Sequence, residues 1–320
     1  MKRLSSKKTI VVTGGLGFIG SHFVELALKN GHKVINVDCE TYAANSSLRF
    51  SGDYTHIKED IANINDIPFC DIIVNFAAES HVDNSISSSK NFISTNVLGV
   101  HNLLEILKNH KIKNLQTSWA YKVPLFVQIS TDEVFGDILK GFFTETDQHK
   151  PSNPYAASKS CAEQLVYAWG RTYDLPYIVT RTTNNYGCRQ FPEKLIPATI
   201  MNIMNGKKVV VHGDGRYVRN WIHVDDNVDA LYKIIDQCMI NESYHVSSDE
   251  EYSVREIVEK IASHFNLRYD DIVDSSTDRS GCDERYALDC SKLKEQTSWQ
   301  QLRKLDVEIP KLIECYRKRI

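Results

Sequence analysis

Ser130-Thr131-Asp132-Glu133 follows directly on Val123-Pro124-Leu125-Phe126-Val127-Gln128-Ile129, an apolar run long enough for a buried strand. Two hydroxyls and two adjacent carboxylates therefore stand where a strand ends, and in an open α/β sheet the C-terminal ends of the strands are where ligands bind. Further on, Tyr155 and Lys159 are four residues apart, which on a helix gives them one face. An ammonium beside a phenol favours the phenolate and lowers the tyrosine toward a useful base. Out of context such a pair reads as a plain exposed helical pair. Next to the Thr-Asp-Glu run it reads as half of an active site.

The elements that must position these groups begin at the N-terminus. Thr9-Ile10-Val11-Val12-Thr13 is β-rich and enters Gly14-Gly15-Leu16-Gly17-Phe18-Ile19-Gly20. An amphipathic helix, Ser21 to Asn30, and a second strand, Lys33 to Val37, lead to Asp38, 18 residues past Gly20. A glycine cluster alone is a weak signal; strand, glycine turn, helix, strand and acid in this order is a strong one for a dinucleotide. The glycines let a pyrophosphate approach the backbone and the helix N-terminus, where Phe18 and Ile19 also lie. Asp38 accepts from a ribose diol and repels a 2′-phosphate, so NAD is favoured over NADP.

Strand-like runs then recur. Tyr54–Lys58 is followed by Asp60 and Ile61, with Asp60 placed to face the adenine. Asp71–Phe76 ends in Ala77 and Ala78, small enough for a dinucleotide to lie close, and then Ser80. Asn91–His110 has helical apolar spacing, Lys113–Lys122 reads as a surface loop, and Tyr177–Arg181 is a sixth strand. Strands separated by helices imply parallel βαβ units. The fold class expected is α/β: a doubly wound Rossmann-type parallel sheet with a smaller mixed α/β substrate domain. The boundaries expected are 1–185 for NAD and 186–320 for substrate, joined by a segment near 220–240, with a cleft between.

Composition excludes several classes. A net charge of −3 gives no nucleic-acid footprint. No window approaches the ~20 apolar residues of a membrane span, and no targeting segment stands out, so the cytoplasm is expected. The eight cysteines are scattered without a Cys-x-x-Cys pair. No metal site is expected, and free thiols are.

Taken together, Thr13-Gly14-Gly15-x-Gly17-x-x-Gly20 and Tyr155-x-x-x-Lys159 resemble the extended short-chain dehydrogenase/reductase superfamily. Phe76–Asp83, Ser130–Gly136, Pro151–Lys159, Asn184–Gly187, Gln190–Pro197 and Gly213-Asp214-Gly215 with Arg219 are similar to nucleoside-diphosphate-glucose 4,6-dehydratases within it. Asp132-Glu133 is the distinguishing mark against the related 4-epimerases and decarboxylases. A non-catalytic NAD-sensing protein on the same fold has no reason to keep Thr131, Asp132, Glu133, Tyr155 and Lys159 together.

That resemblance implies a mechanism. Tyr155, held near phenolate by Lys159 and the cofactor, takes the 4-hydroxyl proton of glucose while hydride leaves C4 for NAD. Glu133 takes the C5 proton, protonated Asp132 donates to the departing 6-hydroxyl, and hydride returns to C6. Neighbouring carboxylates resist joint ionisation, which suits one acid and one base. The resemblance further implies that Thr131 binds the sugar 4-hydroxyl. It puts Asn184, Lys194, Leu195, Arg219 and Arg279 on the substrate, and Ser80, Thr95, Asp60 and Asn185 near cofactor or sugar. NAD stays tightly bound, the substrate is dTDP-glucose or UDP-glucose, and the assembly is a homodimer. The chain departs from the family's pattern at Phe135 and His212, where tyrosine is usual, at Glu250, where an asparagine near the base or ribose is expected, and at Cys282, where histidine is.

Overall fold

The computed structural model describes residues 2–116, 123–278 and 281–318. Seven strands form one parallel sheet: β1 (Thr9–Thr13), β2 (Lys33–Val37), β3 (Tyr54–Ile57), β4 (Ile72–Asn75), β5 (Leu125–Thr131), β6 (Tyr177–Thr182) and β10 (Glu242–Val246). Their spatial order is β10-β6-β5-β4-β1-β2-β3. The order reverses at β1, which pairs with both β2 and β4, and a crevice opens there at the strand ends.

Both faces are covered, which is why β4 and β5 are buried along their whole length. The pleat sends Ile10 and Val12, with Leu125, Val127 and Ile129, to the face under helices α1 (Phe18–Lys29) and α7 (Val224–Gln237). Val11 and Phe126 point the other way, to Leu103, Leu104 and Leu107 of α4 (Val100–Gln116) and Ala162 and Val166 of α5 (Pro154–Tyr173). Helix α5 starts where its sequence says it must. Asn153 accepts from the Ala156 N–H at 2.9 Å and Pro154 occupies the first turn, while Asp174 closes the far end in the left-handed region. Two short helices, α2 (Val82–Ser87) and α3 (Lys90–Phe92), and a π-helical segment, Ile93–Gly99, precede α4.

The smaller layer holds two minor sheets. One is β7 (Asn184–Tyr186), β9 (Val218–His223) and β11 (Glu251–Ser253); the other is β8 (Val209–His212) with β12 (Val273–Ser276). Helices α6 (Leu195–Met204) and α8 (Val254–Ser263), short α9 (Tyr269–Ile272) and α10 (Ser291–Thr297), and α11 (Leu305–Arg317) complete the chain. A separate core of Ile200, Trp221, Ile257, Ile261, Leu312 and Tyr316 holds this layer together.

Three expectations change. The main sheet gains a seventh strand, β10, which polar letters such as His245 conceal; His245 is fully buried against Arg181 and the Asp289 carbonyl. Helix α4 runs to Gln116, so the start of the expected 113–122 loop is helical; residues 117–122 lie outside the described residues. Cys188 is bonded to Cys315, tying the segment after β7 to α11, so these two are not free thiols. Their separation of 127 residues hides the pairing from any spacing rule.

A polar ladder crosses the centre of the sheet. Thr13 donates to Asn75 at 2.5 Å, Asn75 to Gln128 at 2.9 Å, and Gln128 to the Ile129 carbonyl at 3.0 Å. All three side chains are buried, so removing the middle member strands its neighbours. Asn75→Leu is expected to lower unfolding free energy by about 2–5 kcal/mol in urea denaturation, with the m value unchanged.

Candidate active site

Strand β5 delivers Thr131 to the sheet edge, and the chain turns at once into a 3-10 helix, Asp132–Phe135. Thr131 caps that turn, accepting from the Glu133 N–H at 3.3 Å and donating to Asp132 at 3.1 Å. The two carboxylates then part. Asp132 is 2% exposed, and its Oδ2 has no hydrogen-bond partner among the described residues. Burial, then the charge of Glu133, pushes its carboxyl up to about 7 against the pull of Arg219 and Thr131. Glu133 is only half-buried and accepts from Asn153 at 3.1 Å.

Helix α5 brings Tyr155 and Lys159 across from this turn. Lys159 is buried and donates to the Ile129 carbonyl at 2.6 Å, which clasps the helix to β5. Burial lowers the lysine to about 8, with Glu163 opposing. The phenol of Tyr155 is raised, by burial first and then by the Glu133 and Asp132 charges, while a hydrogen bond with Thr131 pulls it down. In the protein alone the phenol is thus not lowered toward the phenolate, and one bond of the ammonium goes to the sheet. Asn96, in the π-helical segment, holds the helix from behind by donating to Ser158 at 2.9 Å.

Thr131, Asp132, Glu133, Tyr155 and Lys159 line one cavity with Gly14, Gly17, Phe18, Ile19, Gly20, Ala78, Ser80 and Asn185. Its floor is the N-terminus of α1. Gly17 supplies no side-chain cap and the first turn carries no acid, which leaves the helix N-terminus open to an anion. Gly14 has φ +69°, and a Cβ there would lie 2.7 Å from the Ala77 nitrogen. The buried Ser130 Oγ, Thr183 Oγ1 and Asn185 Oδ1 are unpartnered among the described residues, and Ser130, Thr183 and Asn185 line the same cavity. Glycine turn, open helix N-terminus and orphaned polar atoms together fit a dinucleotide.

Asn184, Lys194, Leu195, Ser80 and Glu133 also line a second, adjoining cavity of about 400 Å³ that continues to His212, Arg219, Cys282 and Tyr286. Arg219 stacks on Tyr286 at 4.3 Å and donates to the Asp283 carbonyl at 2.9 Å.

A family model described as GDP-mannose 4,6 dehydratase matches residues 11–311. The chain belongs to that family. It is 38% identical to a dTDP-glucose 4,6-dehydratase of Neisseria gonorrhoeae, covering 97% of this chain and 96% of the relative. DesIV, a dTDP-glucose 4,6-dehydratase from Streptomyces venezuelae solved with NAD bound, superposes with a TM-score of 0.89 at 33% identity, covering 97% of each chain. A UDP-glucose 4-epimerase of Thermotoga maritima, solved with UDP-glucose, superposes at 0.86 with 27% identity, covering 97% of this chain and 99% of the other. Fold alone thus does not separate dehydratases of this family from epimerases.

Other expected residues lie around the cavities. Asp38 is buried and accepts from the Leu16 and Glu40 N–H groups at 3.0 and 2.8 Å, bracing the glycine turn. Asp60 holds the turn below β3, accepting from the Ala62 N–H at 2.9 Å, and Ile61 is core packed on Gly99. Thr95 sits half-buried in the π-helical segment, and Ala77 follows β4 with its N–H on Thr13. Arg279 lies outside the described residues. Glu250, which stands where the family's pattern has an asparagine, accepts from Gln301 and from the Leu305 N–H at the start of α11. Asn153 was not singled out from sequence, although its place before Pro154 marks it as a helix cap, and its amide is what holds Glu133.

The raised Asp132 carboxyl has a signed consequence. Between pH 4 and 7 the unfolded chain releases a proton that folded Asp132 keeps, so stability falls as pH rises through that window. Asp132→Asn removes the loss. Its stability relative to the parent is expected to grow by on the order of 4 kcal/mol from pH 4 to pH 7 in urea denaturation.

Proposed function

We propose that the protein catalyses NAD-dependent dehydration of a nucleoside-diphosphate-glucose, dTDP-glucose or UDP-glucose, to the 4-keto-6-deoxy sugar nucleotide. The observation that carries this reading is the divergence of Asp132 and Glu133 at one strand end: one buried with a raised carboxyl and a free oxygen, the other half-exposed and held by an amide. Two carboxyl groups whose environments push them apart make an acid and a base. A 4-epimerase on this fold needs neither.

When bound, NAD supplies the hydride acceptor for C4, the hydride donor for C6 and a positive charge beside the phenol. The first cavity suits it, with Gly14, Gly17 and Gly20 on the pyrophosphate, Asp38 on the adenosine ribose and Lys159 on the nicotinamide side. Asp60, Ile61, Ala77, Ala78, Ser80, Thr95 and Asn185 complete its surroundings. Tyr155 takes the proton of the sugar 4-hydroxyl, which Thr131 orients. The resulting ketone acidifies C5, and Glu133 removes that proton. Asp132 gives its proton to the 6-hydroxyl, which departs as water. Asn184, Lys194, Leu195 and Arg219 bind the sugar nucleotide in the second cavity, where a guanidinium fork suits phosphate.

In this reading residues 1–185, with the segment near 220–240, serve the cofactor and 186–320 the substrate. Exposed Ile93 and Leu98 beside α4, and Tyr173 on α5, support a homodimer packed through these helices. No described helix is long and apolar enough to cross a membrane, and we place the protein in the cytoplasm.

Incubation with each nucleotide sugar, without added reductant, is expected to yield a product lighter by one water. Asp132→Asn and Glu133→Gln are each expected to cut kcat by roughly 10²–10⁴. Interconversion of glucose and galactose forms without mass loss would overturn the dehydratase reading.

A further inference from the structure

Behind the Asp132–Phe135 turn lies a buried charge cluster that the chemistry above does not use. Arg181 on β6 is 2% exposed and Glu163 on α5 is fully buried. The arginine Nε and NH2 donate to the Glu163 carboxylate at 3.1 and 2.7 Å. NH2 also donates to His149 Nε2 at 3.1 Å, and NH1 to the Glu145 carbonyl at 3.1 Å and His245 Nε2 at 3.3 Å. Both imidazoles therefore accept, and their Nδ1–H groups donate to Ser160 and the Asp289 carbonyl. Every donor of the guanidinium is used, so its plane is fixed. Phe135 lies against that plane, its ring centroid 4.8 Å from the guanidinium carbon, with His149 and His245 edge-on at 5.3 and 5.4 Å.

A buried ion pair is weak as a source of stability, because desolvation offsets most of its attraction. What it fixes is geometry. Glu163 is one turn beyond Lys159 and two beyond Tyr155 on α5, and Phe135 ends the turn that begins with Asp132 and Glu133. The cluster thus links the back of the carboxylate turn to the helix carrying the phenol and the ammonium.

We propose that Arg181, held by Glu163, is a positioning residue that acts through Phe135 to set Asp132 and Glu133 against Tyr155. The inference rests on the dehydratase reading for its catalytic consequence, though not for its structural one. It separates the two halves of the reaction. Oxidation at C4 uses α5 and Thr131, whose placement comes from β5 itself; water loss uses the turn.

The test uses Phe135→Leu, Arg181→Lys and their double variant in the full-length protein with NAD, each checked by thermal melting. The expected result is a roughly tenfold fall in water loss with C4 oxidation little changed, so that reduced cofactor accumulates during turnover. The double variant should be no worse than the more impaired single one, because both act through one contact. Amide hydrogen exchange across residues 132–136, without substrate, should quicken in each. Equal loss of both half-reactions, additive effects, or unchanged exchange would overturn the inference. If Arg181→Lys fails to fold, Phe135→Leu and its exchange readout still decide. Absence of water loss in the parent, with faster exchange in the variants, would instead count against the dehydratase reading alone.

Discussion

The bond from Lys159 to the Ile129 carbonyl fixes the distance on which the site depends. It joins a buried ammonium on α5 to the last turn-proximal backbone of β5, at 2.6 Å. Tyr155 is one helical turn away on the same face, and Thr131 is two residues beyond Ile129 on the strand. Once the clasp forms, phenol and threonine hydroxyl must approach each other. The ammonium is therefore positional as much as electrostatic. The phenol it positions is raised rather than lowered by its protein surroundings, first of all by burial.

The same economy governs the carboxylates. Consecutive residues on a 3-10 turn project in different directions, so Asp132 enters the protein while Glu133 stays at the cavity wall. No large scaffold is needed to give two adjacent carboxyl groups different environments. The difference comes from depth, and each charge then reinforces the split: Glu133 ionised favours Asp132 neutral. Asn153 completes the arrangement by capping α5 with its carbonyl and holding Glu133 with its amide, so Glu133 is referenced to the same helix as Tyr155.

Much of this was legible in the sequence because it is local. The glycine turn, Asp38, the strand ending at Thr131 and the Tyr155–Lys159 spacing are each contained within a few residues, and hydrophobic periodicity reports them directly. What escaped is what long separation creates. The pairing of β10 with β6 joins Glu242 to Ile178, Cys188 meets Cys315 across 127 residues, and Arg181 meets Glu163 and His245 from different elements. A buried arginine in a strand looks like an interruption until its partners are known. Glu250 is another case: a departure from the family's asparagine, its carboxylate accepts from the Leu305 N–H at a helix start more than fifty positions away.

Substitution tolerance follows from the same geography. The groups placed for chemistry stand on β5 and α5, which are locked into the seven-stranded sheet by backbone ladders and by the Lys159 clasp. The wall of the second cavity is built in part by two- and three-stranded sheets and by the 282–286 segment, where Arg219 is steadied by carbonyls and by Tyr286. His212 and Cys282 both line that cavity, and His212 is also paired with Ser276 in the β8–β12 ladder. Phe135 differs in kind. It departs from the family's usual residue yet is buried behind the turn, and its ring rests on a guanidinium that needs a flat partner rather than a hydroxyl. The departures at His212 and Cys282 therefore change the lining of the second cavity, whereas the one at Phe135 changes what packs beneath the turn that carries the two carboxylates.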